Sequence, residues 1–369
     1  MNETEPKYVT LMRWIRGQIE SGSLRPGDKL YSENELSRIF AISRQTVRQA
    51  ISLLENDGLL SRVRGSGTYI GTAAAKRPPT KNIGVITTYL DDYIFPSIIH
   101  GIDQALTRNG YSMRLSITHN RTEDEERILR TMMENRVDGI ILEPAKSAFP
   151  NVSADMYDRI TASGLPCILI NGCLPGRALP CVSLDDRKAG EMACAYLLRQ
   201  GHARIGGVFK SDDVQGHLRY EGFARALKAG GGIVHDADIL WFVTEDVDML
   251  FGGTCDSMVL ARLAGCTAVI AYNDQIAVKL IALFARHGLS VPAQVSVISF
   301  DDSDLAELTT PGLTSIRHPK QRLGETAAQN LLALIADPRF DAARLFEPEL
   351  VERGSVAGPP PVNPPVNRP

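Results

Sequence analysis

Side chains able to grip a polyhydroxyl ligand recur in this chain just beyond short apolar runs. Tyr93 and Phe95, Glu143 and Lys146, Asn171, Asp185 and Asp186, Gln215 and Arg219, Asn273, Asp274 and Gln275, and Asp301 and Asp302 all stand at such places. Carboxylates and amides take up the hydrogen bonds of hydroxyl groups, cations donate to their oxygens, and aromatic faces cover C–H surface; that mixture suits a sugar. A second group is Arg44, Gln45, Thr46 and Arg48. Arginine pairs with guanine edges and glutamine with adenine edges, so these residues on one helix suit the major groove of double-stranded DNA. Catalysis is not signalled. His100, His119, His202, His217, His235, His287 and His318 are scattered, with no H-x-x-x-H or H-E-x-x-H pattern and no triad signature. Asp301, Asp302 and Asp304 resemble a metal cluster only superficially, because acidic residues after a strand equally suit sugar hydroxyls and helix capping. Neither an enzyme nor a metal or other cofactor is expected.

The DNA-facing residues need a rigid support, and the sequence supplies one. Ser32 and Glu35 have the S-x-x-E spacing of a capping box, followed by Leu36, Ile39 and Phe40 as one apolar face. After the turn Ala41-Ile42, Ser43 caps a second helix whose Val47, Ala50, Ile51 and Leu54 form a buried stripe, leaving the Arg, Gln and Thr side chains outward. Tyr8, Leu11, Met12, Ile15 and Ile19 predict a helix ahead of this pair, ended by Gly22. Downstream, Arg64-Gly65-Ser66-Gly67-Thr68-Tyr69 reads as a wing whose glycines let the backbone approach phosphate.

The sugar-facing residues call for a different scaffold. Thr72 to Lys81, with its Pro78-Pro79 pair, reads as a linker, and beyond it apolar strands alternate with amphipathic helices. Strands are expected at Ile83–Thr87, Ser112–Thr118, Val137–Glu143, Pro166–Asn171, Ile205–Phe209, Ala268–Tyr272 and Val295–Phe300. Helices are expected at Ser97–Asn109, Glu123–Asn135, Arg187–Gln200, Leu218–Ala229, Val247–Leu263 and Gln275–His287. This alternation predicts two doubly wound α/β lobes, whose ligands bind beyond the carboxyl ends of the strands.

Composition sets the outer limits. The 369 residues, 44% of them hydrophobic, allow two to three domains with real cores. Residues 1–81 hold 13 Lys and Arg against 8 Asp and Glu, a net +5, which leaves −8 of the overall −3 to the remainder. The basic end is therefore the DNA-binding end. No run approaches a membrane span and no signal peptide is apparent, so the expected location is the cytoplasm. The six cysteines at 167, 173, 181, 194, 255 and 266 form no C-x-x-C pair and are expected to be reduced core thiols.

Two resemblances sharpen these readings. Tyr8, Leu11, Ile15, Ile19, Gly22, Leu24, the run Pro26 to Leu30, Ser32 to Leu36, Ser43 to Ala50, Gly58-Leu59 and Gly65 to Thr68 closely resemble the winged helix of the gluconate-repressor family, except that Tyr31 stands where that family usually has proline. Val137 to Ile141, Val182 to Asp186, Gly201-His202, Arg219 to Phe223, Ala271 to Asp274 and Val297 to Asp302 resemble the effector domain of the lactose- and galactose-repressor family, a relative of periplasmic sugar-binding proteins. The combination, with Asp92 to Ile99, Glu143 to Ala148, Asp212 to Gly216 and His318-Pro319-Lys320, is similar to the arabinose repressors of Gram-positive bacteria.

The resemblance implies an N-terminal winged helix-turn-helix (residues 1–71), a linker (72–82), a two-lobed sugar-binding and dimerisation domain (83–354) and a disordered proline-rich tail (355–369). It implies a homodimeric repressor that leaves its operator when L-arabinose binds, without contact with a membrane. The expected DNA-contacting residues are Ser32, Glu33, Ser43, Arg44, Gln45, Thr46, Arg48, Arg64, Gly65 and Gly67. The expected effector-binding residues are Phe95, Glu143, Asn171, Gln215, Arg219, Asn273, Gln275 and Asp301, with Tyr93, Lys146 and Asp186 close by. A regulator answering to another sugar, a sugar-binding regulator that does not repress, and a sugar-transforming enzyme are the alternatives.

Overall fold

The computed structural model describes residues 7–360 apart from Asp57, Arg64, 72–78, 91–93, 151–153, Pro175 and Ala178. Two compact units are present, Met1–Pro79 and Thr80–Pro369. In the first, helices α1 (Lys7–Glu20), α2 (Glu33–Phe40) and α3 (Arg44–Asn56) pack with a hairpin of β1 (Leu60–Val63) and β2 (Gly67–Ile70), joined in antiparallel register with Leu60 opposite Ile70. Ser32 Oγ accepts from the Glu35 N–H at 3.3 Å while the Ser32 N–H donates to Glu35 Oε2 at 2.7 Å, so two groups at the helix start are satisfied together. Ala41 ends α2 in the left-handed region at φ 49°. Leu11, Ile15, Leu36, Val47, Ala50, Ile51 and Leu54 are buried as one core with Leu30, Leu60 and Ile70. Each such aliphatic side chain contributes about 1.5 to 3 kcal/mol on burial. Ile39 departs from the expected apolar face. It is 57% exposed, because the short α2 turns Leu36 into the core and Phe40 onto Trp14, with ring centroids 5.2 Å apart.

The second unit contains two six-stranded sheets. In the first lobe β3 (Asn82–Thr87), β4 (Ser112–Ile117), β5 (Gly139–Leu142), β6 (Cys167–Ile170), β7 (Cys181–Leu184) and β13 (Arg344–Phe346) lie in the order β13-β7-β6-β5-β3-β4, all parallel. In the second lobe β8 (Ile205–Lys210), β9 (Ile239–Phe242), β10 (Ala268–Ala271), β11 (Ser296–Asp301), β12 (Thr314–Arg317) and β14 (Glu349–Val351) lie in the order β14-β12-β11-β10-β8-β9, parallel except for β14. The chain crosses between lobes three times, after β7, after β12 and between β13 and β14. Helices α4 (Phe95–Arg108), α5 (Thr122–Glu134), α6 (Ala154–Ser163) and α13 (Lys320–Ala336) serve the first lobe. Helices α7 (Asp186–Arg199), α8 (Val214–Ala229), α9 (Val247–Phe251), α10 (Asp256–Arg262), α11 (Asp274–Arg286) and α12 (Asp304–Leu308) serve the second. Close helix packing depends on glycine: a Cβ on Gly101 would lie 2.2 Å from the Gln321 carbonyl oxygen of α13. Among the described residues no helix is long and apolar enough to cross a membrane.

The two-lobed α/β architecture expected from the sequence is present, with four local corrections. The helix expected over Val247–Leu263 is broken into α9 and α10 by Gly252-Gly253, where Gly253 has φ 105°. Cys173 and Cys181 are disulfide-bonded rather than reduced, because the loop joining β6 to β7 returns on itself and brings their Cα atoms to 5.6 Å. Residues 355–360 are structured rather than tail. Ser355 is fully buried, its Oγ accepting from the Thr314 N–H at 2.8 Å and donating to the Val297 carbonyl at 2.6 Å. At the other end Asp138 accepts from the Thr80 and Lys81 N–H groups, both at 2.8 Å, so the end of the expected linker is bonded to the first lobe. Residues 361–369, and most of the linker, lie outside the described residues.

Candidate functional site

The first unit offers a polar face built on α3. Val47, Ala50 and Ile51 anchor the helix, which leaves Arg44, Gln45 and Arg48 exposed and Thr46 half-buried. Ser43 Oγ accepts from the Thr46 N–H at 3.1 Å and caps the start of α3, as Ser32 caps α2. Glu33 lies between two arginines: Arg48 Nε donates to Oε2 at 2.7 Å and Arg62 Nη2 donates to Oε1 at 2.9 Å. Glu33 thus orients cations rather than presenting a bare negative charge. Gly65 and Gly67 have φ 79° and 129° in the wing turn, and a Cβ on Gly67 would meet Lys29 Cε at 2.8 Å. Arg64 lies outside the described residues.

Between the lobes of the second unit lies a cavity of about 350 Å³. The first lobe contributes Thr88 and Tyr89 after β3, Ile94 and Phe95 at the start of α4, and Glu143 after β5. The second contributes Lys210 at the end of β8, Asp213, Gln215 and Arg219 at and in α8, Phe242 of β9, Tyr272 and Asn273 after β10, Gln275 and Ile276 of α11, and Asp301 of β11. Thr244, Glu245, Val247 and Asp248 complete its wall. The lining therefore gathers at carboxyl ends of strands, where each sheet leaves its backbone groups free for ligand or cap.

Arg219 is the electrostatic centre of this cavity. Its Nε donates to Asp186 Oδ1 at 2.8 Å, its Nη1 to the Tyr272 carbonyl at 2.6 Å, and its Nη2 lies 3.5 Å from Asp301 Oδ1. The guanidinium carbon sits 4.6 Å from the Phe300 ring centroid and 5.0 Å from that of Tyr272. Burial opposes its charge, but Asp186 and Asp301 more than offset this and hold it protonated. Burial pushes the Asp186 carboxyl up against the pull of Arg219. Lys210 is largely shielded from solvent, which opposes its charge, but Asp213 and Asp212 keep it protonated.

Glu143 is fixed from behind. The Thr88 N–H donates to its Oε2 at 3.0 Å and Asn171 Nδ2 to its Oε1 at 2.8 Å; Asn171 Oδ1 in turn faces His318 Nε2 at 3.1 Å. Burial holds His318 down to about 4, so the imidazole is neutral and Nε2–H can donate, while burial raises the Glu143 carboxyl. No group of three or more His, Cys, Asp or Glu side chains among the described residues is disposed to hold a metal ion.

Comparison with known proteins agrees with both units. Residues 7–70 match the gntR family of bacterial regulatory proteins, and residues 194–356 match a periplasmic binding protein-like domain. The chain is 36% identical over 358 residues to the arabinose metabolism transcriptional repressor of Geobacillus stearothermophilus, covering 96% of this chain and 98% of that one. It is 35% identical to the repressor of the same name from Halalkalibacterium halodurans, covering 96% and 97%. The chain belongs to this family of transcriptional repressors. The regulator CelR in complex with cellobiose shares the fold at TM-score 0.67 and 22% identity, covering 85% of this chain and 90% of that one. A LacI-type regulator from Alkaliphilus metalliredigens complexed with D-xylulofuranose does so at TM-score 0.64 and 24% identity, covering 76% and 100%.

The repressor's cavity brings together Phe95, Glu143, Gln215, Arg219, Asn273, Gln275 and Asp301 from the expected set. Asn171 and Asp186 stand one layer back, bonded to Glu143 and to Gln215 and Arg219. Lys146 is not in the lining, because its Nζ reaches across to Glu245 Oε1 at 2.6 Å. Tyr93 lies outside the described residues. Sequence reasoning missed Thr88, Tyr89, Lys210, Asp213, Phe242 and Tyr272, although Lys210, Tyr272 and Thr88 each end or follow an apolar run and obey the same rule as the residues it found.

Proposed function

We propose that L-arabinose is the effector of this repressor, bound in the cavity between the two lobes, and that a homodimer holds a pseudo-palindromic operator through α3 and the wing. The observation that carries the sugar reading is the pairing of opposite hydrogen-bonding groups around one space: Glu143, Asp213 and Asp301 as acceptors, Lys210 and Arg219 as cations, Phe95 and Tyr272 as apolar faces. A neutral polyol satisfies both kinds at once, whereas the carboxylates repel a phosphorylated sugar. Arg44, Gln45, Thr46 and Arg48 are proposed to meet base edges. Ser32, Ser43, Gly65, Gly67 and Arg64 are proposed to meet the backbone, with Glu33 orienting Arg48.

Release follows from population shift. The sugar touches both lobes and so binds the closed form better; closure in each protomer alters the spacing of the paired winged helices, and operator affinity falls. Two-fold symmetry of the dimer would match that of the operator.

Calorimetric titration of the full chain with L-arabinose, D-xylose, D-ribose and D-galactose tests the reading. Saturable binding of L-arabinose alone, with release of operator DNA over the same concentration range, is expected. Binding of a different sugar would remove arabinose as effector and leave a regulator of the same architecture, a reading favoured by the cellobiose and xylulofuranose complexes of similarly folded proteins.

A further inference from the structure

We infer that Lys210 is the residue that reads one particular hydroxyl of the bound sugar and so sets which sugars the site accepts. This rests on the sugar reading above and deepens it. Lys210 closes β8 and points into the main cavity and into an adjoining space of about 20 Å³, room for a single water. Its side chain is 13% exposed, and its Nζ lies 3.8 Å from Asp212 Oδ1 and 3.9 Å from Asp213 Oδ2. Those separations balance its charge without making hydrogen bonds.

Asp213 is held by other donors at both oxygens and Asp212 at Oδ2, while Asp212 Oδ1 has no hydrogen-bond partner among the described residues. Asp213 Oδ2 accepts from the Tyr272 hydroxyl at 2.6 Å and Oδ1 from the Gln215 N–H at 2.9 Å; Asp212 Oδ2 accepts from the Thr244 hydroxyl at 2.8 Å. The ammonium therefore keeps three donors for what enters the cavity. Arg219, by contrast, spends its Nε and Nη1 on protein groups. A sugar hydroxyl near Nζ accepts from Lys210 and donates to a carboxylate such as Glu143 or Asp213. A sugar without that hydroxyl leaves a largely shielded ammonium unsatisfied, the situation in which binding sites discriminate most strongly.

The test is calorimetric titration of the full chain and of Lys210→Met with L-arabinose and a set of its monodeoxy analogues, each lacking one hydroxyl. Loss of the lysine leaves Asp212 and Asp213 repelling each other, which weakens every ligand alike and cancels in ratios. In the native chain, one analogue is expected to bind about ten- to a hundredfold more weakly than the parent sugar because it lacks a bond to a charged donor. That ratio should shrink to less than about threefold in Lys210→Met, with the ratios for the other analogues unmoved. Equal ratios in the two proteins for every analogue would overturn the assignment while leaving the sugar reading intact. Failure of the native chain to bind any sugar would overturn both. Should Lys210→Met lose its cooperative thermal transition, Lys210→Gln, which replaces the ammonium by a weaker neutral donor, should shrink that one ratio part-way, and an unchanged ratio would overturn the assignment.

Discussion

Replacing Arg219 by methionine separates the stability of the cavity from its response to sugar. Arg219 is 1% exposed and Asp186, its partner at 2.8 Å, is equally buried. Methionine fills much of the same volume, so the principal loss is the charge, and removing one member of a buried pair costs about 3 to 5 kcal/mol. Protonation can relieve part of this. Without Arg219 only the Gln215 amide, which donates to Asp186 Oδ2 at 3.1 Å, opposes the burial that raises Asp186, so its carboxyl stays neutral to higher pH than in the native chain. A carboxyl raised in the folded state loses stability as pH rises, and the deficit of Arg219→Met should therefore be larger at pH 8 than at pH 5.5. Arg219→Met with Asp186→Asn removes the orphaned charge and should recover about 2 kcal/mol or more of the single-variant loss. Urea titration and scanning calorimetry measure the cycle, and a gel-shift assay should show operator binding retained but no longer relieved by sugar. Additivity of the two substitutions to within about 0.5 kcal/mol, or a deficit that does not change with pH, would refute the reasoning.

Three further outcomes are expected. Asp274 is buried with no cationic partner among the described residues and accepts from Ser299, Ser303 and Ser315, and burial raises its carboxyl to about 6. The stability of the native chain relative to Asp274→Asn should therefore fall by up to about 3 kcal/mol as pH rises from 4 through 6; a flat difference in urea midpoints would contradict this. Arg48→Ala should cost about 1 to 3 kcal/mol of operator discrimination, seen as relaxed sequence preference in competition binding, whereas a uniform loss with a shallower salt dependence would mark Arg48 as a phosphate contact. The double substitution of Cys173 and Cys181 by serine should lower stability by about 2 kcal/mol, given a loop of eight residues, and denatured unreduced protein should offer four of its six thiols to a thiol reagent.

The sequence carried the site only where local rules and chain order coincide. The Ser32–Glu35 box and the Val47–Leu54 stripe are local patterns and were realised as helix starts and core. The parallel lobes were legible because each long apolar run is followed by an amphipathic helix. What stayed hidden depends on contacts distant in sequence. The strands β13 and β14 are three residues long and pair across lobe crossings, so neither period nor length marks them. Ser355 is buried only because β11 and β12 lie beside it. Cys173 and Cys181 flank a loop whose closure no spacing rule announces. Lys210 and Lys146 show the same limit for side chains: both follow apolar runs, yet one turns into the cavity and the other spans to Glu245.

Those spanning contacts bear on how a sugar can act as a switch. Asn120 Nδ2 from the first lobe donates to Asp212 Oδ2 at 3.2 Å and to Thr244 Oγ1 at 2.6 Å in the second, and the Val214 N–H donates to Ser147 Oγ at 3.0 Å. His119, Asn120 and Lys146 all adopt positive φ, 51°, 56° and 44°, so the loops that reach across carry backbone strain at each of these non-glycine residues. Glu245 is 59% exposed, and its pair with Lys146 contributes little against water. The buried Asn120–Asp212 bond, made to a carboxylate, contributes about 2 kcal/mol net, since water replaces it on opening. Each of these terms is modest, so the contacts across the lobes hold the closed form only weakly without sugar. Driving such an equilibrium from 1:99 to 99:1 takes a ligand that prefers the closed form roughly ten-thousandfold. That preference can come only from groups brought together by closure, and Glu143 on one side with Lys210 and Arg219 on the other are such groups. An effector gripped by one lobe alone would bind without switching.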